Sequence, residues 1–125
     1  MSMYVITNAR VCKPVNIRNV LSLFDGMSCG QIALERVGIK VEDYFASEID
    51  KYAIKIAKKN HPNTIHVGDV TQLDSSTLPK IDLLIGGSPC QDLSLAKTGG
   101  KGLDGDSSRL FFEYVRLLKD LKPMY

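Results

Sequence analysis

The stretch Leu83-Leu84-Ile85-Gly86-Gly87-Ser88-Pro89-Cys90-Gln91-Asp92-Leu93-Ser94 decides how the rest of the chain is read. An apolar run stops at two glycines, a proline and a cysteine. The pattern predicts a buried strand, Ile81 to Ile85, that carries a thiol past its C-terminal tip. In open parallel sheets, ligands bind beyond the carboxyl ends of the strands. A cysteine held there by the stiff Pro89 is placed for nucleophilic work. A turn that merely contains a buried cysteine fits the same residues, and this stretch alone leaves both readings open.

Working outward, the first clear strand is Asn19-Val20-Leu21-Ser22-Leu23-Phe24, nearly all apolar as for a strand covered on both faces. Asp25-Gly26-Met27-Ser28-Cys29-Gly30 then turns into a helix over about Gly30 to Val37, with Ile32, Ala33, Leu34 and Val37 inward and Gly38 ending it. Strand, glycine turn and helix in this order bring backbone close to a nucleotide-like ligand. It is neither a phosphate loop nor a dinucleotide fingerprint, since the Gly-Lys-Ser/Thr and the G-x-G-x-x-G are both missing. A tight turn without a ligand is the alternative.

A second strand, about Val41 to Ser47, ends in Glu48, about 20 residues past the glycine turn, where a carboxylate can accept from both ribose hydroxyls. An acid at a helix start is the plainer explanation, although Asp50 fills that role better as an N-cap. The following helix, about Lys51 to Lys59, turns Tyr52, Ala53, Ile56 and Ala57 inward. A third strand, Thr64 to Val67, leads to Asp69, which suits an adenine amino group or a simple turn. Residues 71–80 read as a connection with a helical turn. Residues 93–108 form a glycine-bearing loop long enough to suggest a lid. The last helix, about Ser108 to Leu121, is capped by Ser107 or Ser108 and carries the stripe Leu110, Phe111, Tyr114, Val115, Leu118 and Leu121.

The 125 residues suffice for one domain, and 44% hydrophobic content supports a core. Residues 1–18 read as an arm or edge strand, since Val5, Thr7, Ala9 and Val11 alternate before Pro14. Residues 19–125 form the domain proper. A net charge of +2 does not by itself announce a nucleic-acid binder, and the late Lys and Arg residues read mostly as a solvated face. Three widely spaced cysteines and two histidines argue against zinc and for a reducing compartment. With no signal-like start and no membrane span, the expected location is the cytoplasm, or the nucleus if the source is eukaryotic. The element order argues for an α/β layer with a mostly parallel sheet.

The residues at the strand tips resemble the DNA (cytosine-5) methyltransferases. Phe24-Asp25-Gly26-Met27-Ser28-Cys29-Gly30 is similar to that family's first motif, and Gly87-Ser88-Pro89-Cys90-Gln91 resembles its nucleophile motif. Glu48 and Asp69 match its ribose and adenine ligands. Arg109-Leu110-Phe111-Phe112-Glu113 with Arg116 and Lys122-Pro123 resembles the helix after its catalytic loop. The phrasing is closest to the de novo branch and its phage and bacterial, restriction-modification relatives.

The resemblance implies a Rossmann-like S-adenosylmethionine-dependent fold, with S-adenosylhomocysteine as product. It implies that Cys90 attacks C6 of a cytosine flipped out of double-stranded DNA, so that C5 takes the methyl group. Phe24, Asp25, Gly26, Met27, Gly30, Glu48, Ile49, Asp69, Val70, Pro89 and Leu110 would form the cofactor pocket. Gln91, Ser94, Lys97, Lys101 and Arg109 would meet DNA. The family's Glu-Asn-Val motif and target-recognition region are missing from these residues. The expectation is therefore the first half of a catalytic domain, inactive alone. It would need its other half in cis or trans and expose an apolar edge and face through which copies could associate. A cofactor-binding remnant or module without catalysis is the alternative. A nicotinamide or redox-cysteine protein is disfavoured by the missing G-x-G-x-x-G and C-x-x-C.

Overall fold

The computed structural model describes residues 15–88 and 106–125, with side chains from Arg109 onward in the second segment, and the backbone of two short strands before them. Those two, β1 (Ile6–Thr7) and β2 (Arg10–Val11), pair antiparallel with each other. The alternation expected of one arm or edge strand is thus shared between two. Only two residues separate them in sequence, so the period of 2 runs on unbroken.

The domain follows as β3 (Asn19–Leu23), α1 (Cys29–Arg36), β4 (Asp43–Ser47), α2 (Lys51–Asn60), β5 (Ile65–Gly68), β6 (Leu83–Gly86) and α3 (Asp106–Leu121). Two 3-10 turns, Val70–Gln72 and Ser75–Thr77, lie between β5 and β6. The four strands form one parallel sheet in the order β5-β4-β3-β6. This is the Rossmann-like arrangement expected, with the first strand of the domain at the centre.

The central strand explains itself. Val20, Leu21 and Leu23 are fully buried because both faces of β3 are covered. Leu21 and Leu23 join Phe45, Val70, Leu73, Ile81, Leu84 and Leu117 on one face. Val20 joins Ile17, Tyr44 and Ala46 on the other, beside Leu34 of α1. At the amino end, the Asp82 carboxylate accepts from the backbone N–H groups of Arg18 (2.9 Å) and Asn19 (3.1 Å), which fastens β6 to β3.

Three helix readings need correction. α1 buries none of its residues: Ile32 and Val37 are exposed, and Leu34 alone packs against the inner cluster. In α2, Asp50 caps as expected, accepting from Tyr52 N and Ala53 N. Yet Tyr52 and Ile56 face outward, and Ala57 is the buried residue. α3 begins at Asp106, so Ser107 and Ser108 lie inside it rather than capping it. Its buried anchor is Leu117, with Leu110, Tyr114 and Leu121 beside the core, while Phe111 and Leu118 are exposed. Apolar surface is therefore open on all three helices. The outer edge of β6 is less bare than expected. Tyr125 N donates to Asp82 O and Tyr125 O accepts from Leu84 N, both at 3.0 Å, a parallel bridge beside Leu83. Among the described residues, no helix is long and apolar enough to cross a membrane.

Candidate functional site

All four strands point the same way, so their carboxyl ends share one edge of the sheet. Beyond β3 lies the glycine turn, Phe24 to Gly30. Glu48 follows β4, Asp69 follows β5, and Gly87 and Ser88 follow β6. β3 and β6 are neighbours in space, with Leu23 opposite Gly86, although α1, β4, α2, β5 and the two 3-10 turns lie between them in sequence. Between such strands the chain connections leave to opposite faces, and a crevice opens at their tips. The glycine turn therefore stands beside the tip that leads to Pro89 and Cys90.

Hydrogen bonds tie the tips to one another. Glu48 Oε2 accepts from Gly26 N at 2.8 Å, and Asp25 N donates to Ser47 O at 3.1 Å. Ser47 Oγ, nearly buried, donates to Gly68 O at 2.8 Å. Glu48 Oε1 accepts from Ile49 N (2.8 Å) and Asp50 N (3.0 Å). An ionised carboxylate offers about four lone-pair sites, so three such bonds leave about one acceptor, on Oε2. Ile49 beside it is 74% exposed, an apolar side chain open at the rim.

Asp69 serves its turn: Oδ1 accepts from Thr71 N at 2.8 Å and from Thr71 Oγ1 at 2.9 Å. Val70 is 4% exposed and belongs to the core, so its side chain is not open to a ligand as expected. Met27 is exposed, and Leu110 packs against the core from α3. Arg109 is exposed near the start of α3. The readings on Pro89, Cys90, Gln91, Ser94, Lys97 and Lys101 lie outside the described residues, as does the lid.

The glycines divide by role. Gly26 has φ +59° and a Cβ there would meet nothing within 4 Å, so backbone conformation accounts for it. At Gly30 a Cβ would come within 2.6 Å of Tyr44 Oη and 2.7 Å of Ile85 Cδ1. Gly30 thus makes room for the sheet beneath α1.

Several residues here escaped the sequence reading. Tyr44 donates to Asp25 Oδ1 at 2.8 Å, and Ser28 Oγ donates to Asp25 Oδ2. Gln31 Nε2 donates to Ser28 Oγ (3.1 Å) and to Thr64 Oγ1 (2.6 Å). Burial pushes the Tyr44 phenol far above its ordinary value, and the nearby Asp25 charge adds to this. Arg116 is not part of a solvated face: it donates to the carbonyls of Val70 (3.1 Å) and Leu73 (3.2 Å) and pairs with Glu113. A tyrosine at an inward position of an apolar strand was the available signal for Tyr44.

A family model for C-5 cytosine-specific DNA methylases matches residues 18–125. The chain belongs to that family. Relatives of this chain include an orphan methyltransferase, M.Rho11sI, of Bacillus phage rho11s. It is 44% identical over 108 residues, which are 85% of this chain and 21% of that protein. The type II methyltransferase M1.ScrFI of Lactococcus lactis subsp. cremoris is 41% identical over 106 residues, 83% of this chain and 26% of that protein. The chain thus spans less than a third of the length of these relatives. Its fold is similar to that of a Spodoptera frugiperda DNMT2 mutant, with TM-score 0.63, 24% identity, and coverage of 81% of this chain and 31% of that one. S. pombe Dnmt2 gives TM-score 0.61 at 20% identity, over 82% of this chain and 29% of that one.

Proposed function

We propose that this chain supplies the cofactor cradle and the nucleophile of an enzyme that methylates C5 of cytosine in DNA. The observation that carries the reading is the convergence of four strand tips, with Glu48 bonded to the glycine turn, beside the tip that leads to Pro89-Cys90. Family membership supports it.

The residues present fit S-adenosylmethionine. Glu48 Oε2 keeps about one acceptor site, enough for one ribose hydroxyl while its bond to Gly26 stays in place. Ile49 offers an apolar edge to the base, and Asp69 an acceptor for the adenine amino group. Phe24, Asp25, Gly26 and Met27 receive the amino-acid tail near the start of α1, where helix N–H groups favour a carboxylate. Pro89 and Leu110 border the reacting end. When bound, this cofactor supplies an electrophilic methyl group on a sulfonium.

Cys90 provides the other half of the chemistry. Its thiolate adds to C6 of a flipped cytosine and makes C5 nucleophilic; after methylation, loss of the C5 proton and of the thiolate restores the ring. Gln91, Ser94, Lys97, Lys101 and Arg109 meet the DNA, and the loop after Cys90 closes over the base. The remaining parts of the enzyme are supplied by further polypeptide, in cis or in trans, in the cytoplasm of a bacterium, whether encoded by the bacterium or by a phage.

Transfer of tritium from labelled cofactor to DNA tests the reading. The chain alone shows no turnover. Adding the C-terminal part of the phage relative restores turnover, and Cys90→Ser abolishes it. Cofactor binding with no covalent capture on 5-fluorocytosine DNA in that reconstituted pair would instead make the chain a binding module.

A further inference from the structure

The glycine turn has an unusual backbone. φ is positive at Phe24 (55°), Gly26 (59°) and Ser28 (68°), but not at Asp25 or Met27 between them. Alternation of this kind turns successive N–H groups toward one concavity. Two of the three residues carry side chains, so the shape is sterically costly and persists only where its surroundings over-determine it.

Asp25 is where the surroundings act. Its backbone N–H donates to Ser47 O, and its carbonyl accepts from Ser28 N at 3.1 Å. One carboxylate oxygen accepts from the fully buried Ser28 hydroxyl, the other from Tyr44 Oη. Tyr44 itself lies in the core of a neighbouring strand, 5% exposed, and its hydroxyl reaches the turn past the space left by Gly30. Phenylalanine would fill that core position equally well, so the hydroxyl has a use beyond packing.

We infer that Tyr44 is a positioning residue for the cofactor's amino-acid tail: its hydroxyl, through Asp25, holds the glycine turn in the shape that receives that tail. The inference rests on the cofactor reading above. Its phenol stays protonated across any working pH because burial opposes ionisation, so it remains a donor to Asp25 throughout. The adenosine end belongs to other tips, Glu48, Ile49 and Asp69. The two ends of one ligand therefore separate a positioning role from general damage to the fold.

The experiment is a titration of the 125-residue chain with S-adenosylhomocysteine and, separately, with adenosine. Tyr44→Phe lowers affinity for S-adenosylhomocysteine about tenfold, as for loss of one hydrogen bond to a charged group, and leaves adenosine affinity within about twofold. Ser28→Ala removes the other side-chain donor to the Asp25 carboxylate, at a residue given no contact with the ligand, and gives the same split should Tyr44→Phe fold poorly. Unchanged S-adenosylhomocysteine binding in both variants, or equal loss of both ligands, overturns the inference alone. A wild-type chain that takes up neither ligand overturns the cofactor reading and the inference with it.

Discussion

Gly86 and Gly87 are adjacent at the tip of β6, yet alanine should act oppositely at the two. A Cβ on Gly86 would stand 2.6 Å from the carbonyl oxygen of Leu23, 3.1 Å from Leu23 Cβ and 3.2 Å from Tyr114 Cε2. The nearest obstacle is backbone of the central strand, itself paired in register with Gly86, so it cannot swing aside as a side chain would. Overpacking of this kind costs about 1–3 kcal/mol. At Gly87 a Cβ meets nothing within 4 Å among the described residues. There alanine mainly restricts the unfolded chain, a gain of about 0.4–1 kcal/mol. With about 2.1 cal/mol/K of unfolding entropy per residue over 125 residues, each kcal/mol is worth about 4 °C. Thermal melts followed by circular dichroism should therefore show Gly86→Ala lower by about 4–11 °C and Gly87→Ala unchanged or raised by a few degrees. Equal melting temperatures for both variants would refute the assignment of Gly86 to strand contact.

Other outcomes follow from single side chains. Leu117→Ala, at a fully buried anchor of α3, should lose about 2–5 kcal/mol in urea titrations. Arg116→Met removes the two donations that hold α3 to the carbonyls of Val70 and Leu73, and about 1–2 kcal/mol of stability with them. Both ring nitrogens of His66 are buried without a partner among the described residues. Burial, aided by Lys58, holds its pKa below the ordinary 6.5. The unfolded chain therefore takes up the proton first. Stability should fall as pH drops below about 6.5 and level off once the folded imidazole also protonates. His66→Gln should flatten this segment of a stability-against-pH curve.

The central strand and the glycine turn were legible because an all-apolar run ending at Phe24-Asp25-Gly26 has few structural solutions. The parallel order of the sheet followed from alternating strands and helices. Asp50 announced itself as a cap by chemistry alone. Helix faces were less legible, since apolar periodicity marks a stripe but not which part of it the sheet covers. In α3 the buried line is Leu110, Tyr114, Leu117 and Leu121, and the apolar residues flanking it, Phe111 and Leu118, are left outside. In α1 and α2, Ile32, Val37, Tyr52 and Ile56 have the right spacing and no cover among the described residues.

At the candidate site the individual acids could be read from their positions at strand ends. What joins them could not. Glu48 to Gly26 and Tyr44 to Asp25 are contacts 22 and 19 residues apart in sequence. They exist only because β3 and β4 run side by side. That Gly30 leaves room for Tyr44 was not legible either, since the two meet only across the packed sheet and helix. Val70 was assigned to a ring face when its side chain fills the core.

The claim on which the account turns is that these tips cradle an adenosyl group through Glu48. Isothermal titration of the chain with S-adenosylmethionine measures it directly. One saturable site is expected, weakened about tenfold or more by Glu48→Ala, in line with loss of a charge-assisted hydrogen bond. No heat of binding, or an affinity indifferent to that substitution, would contradict it.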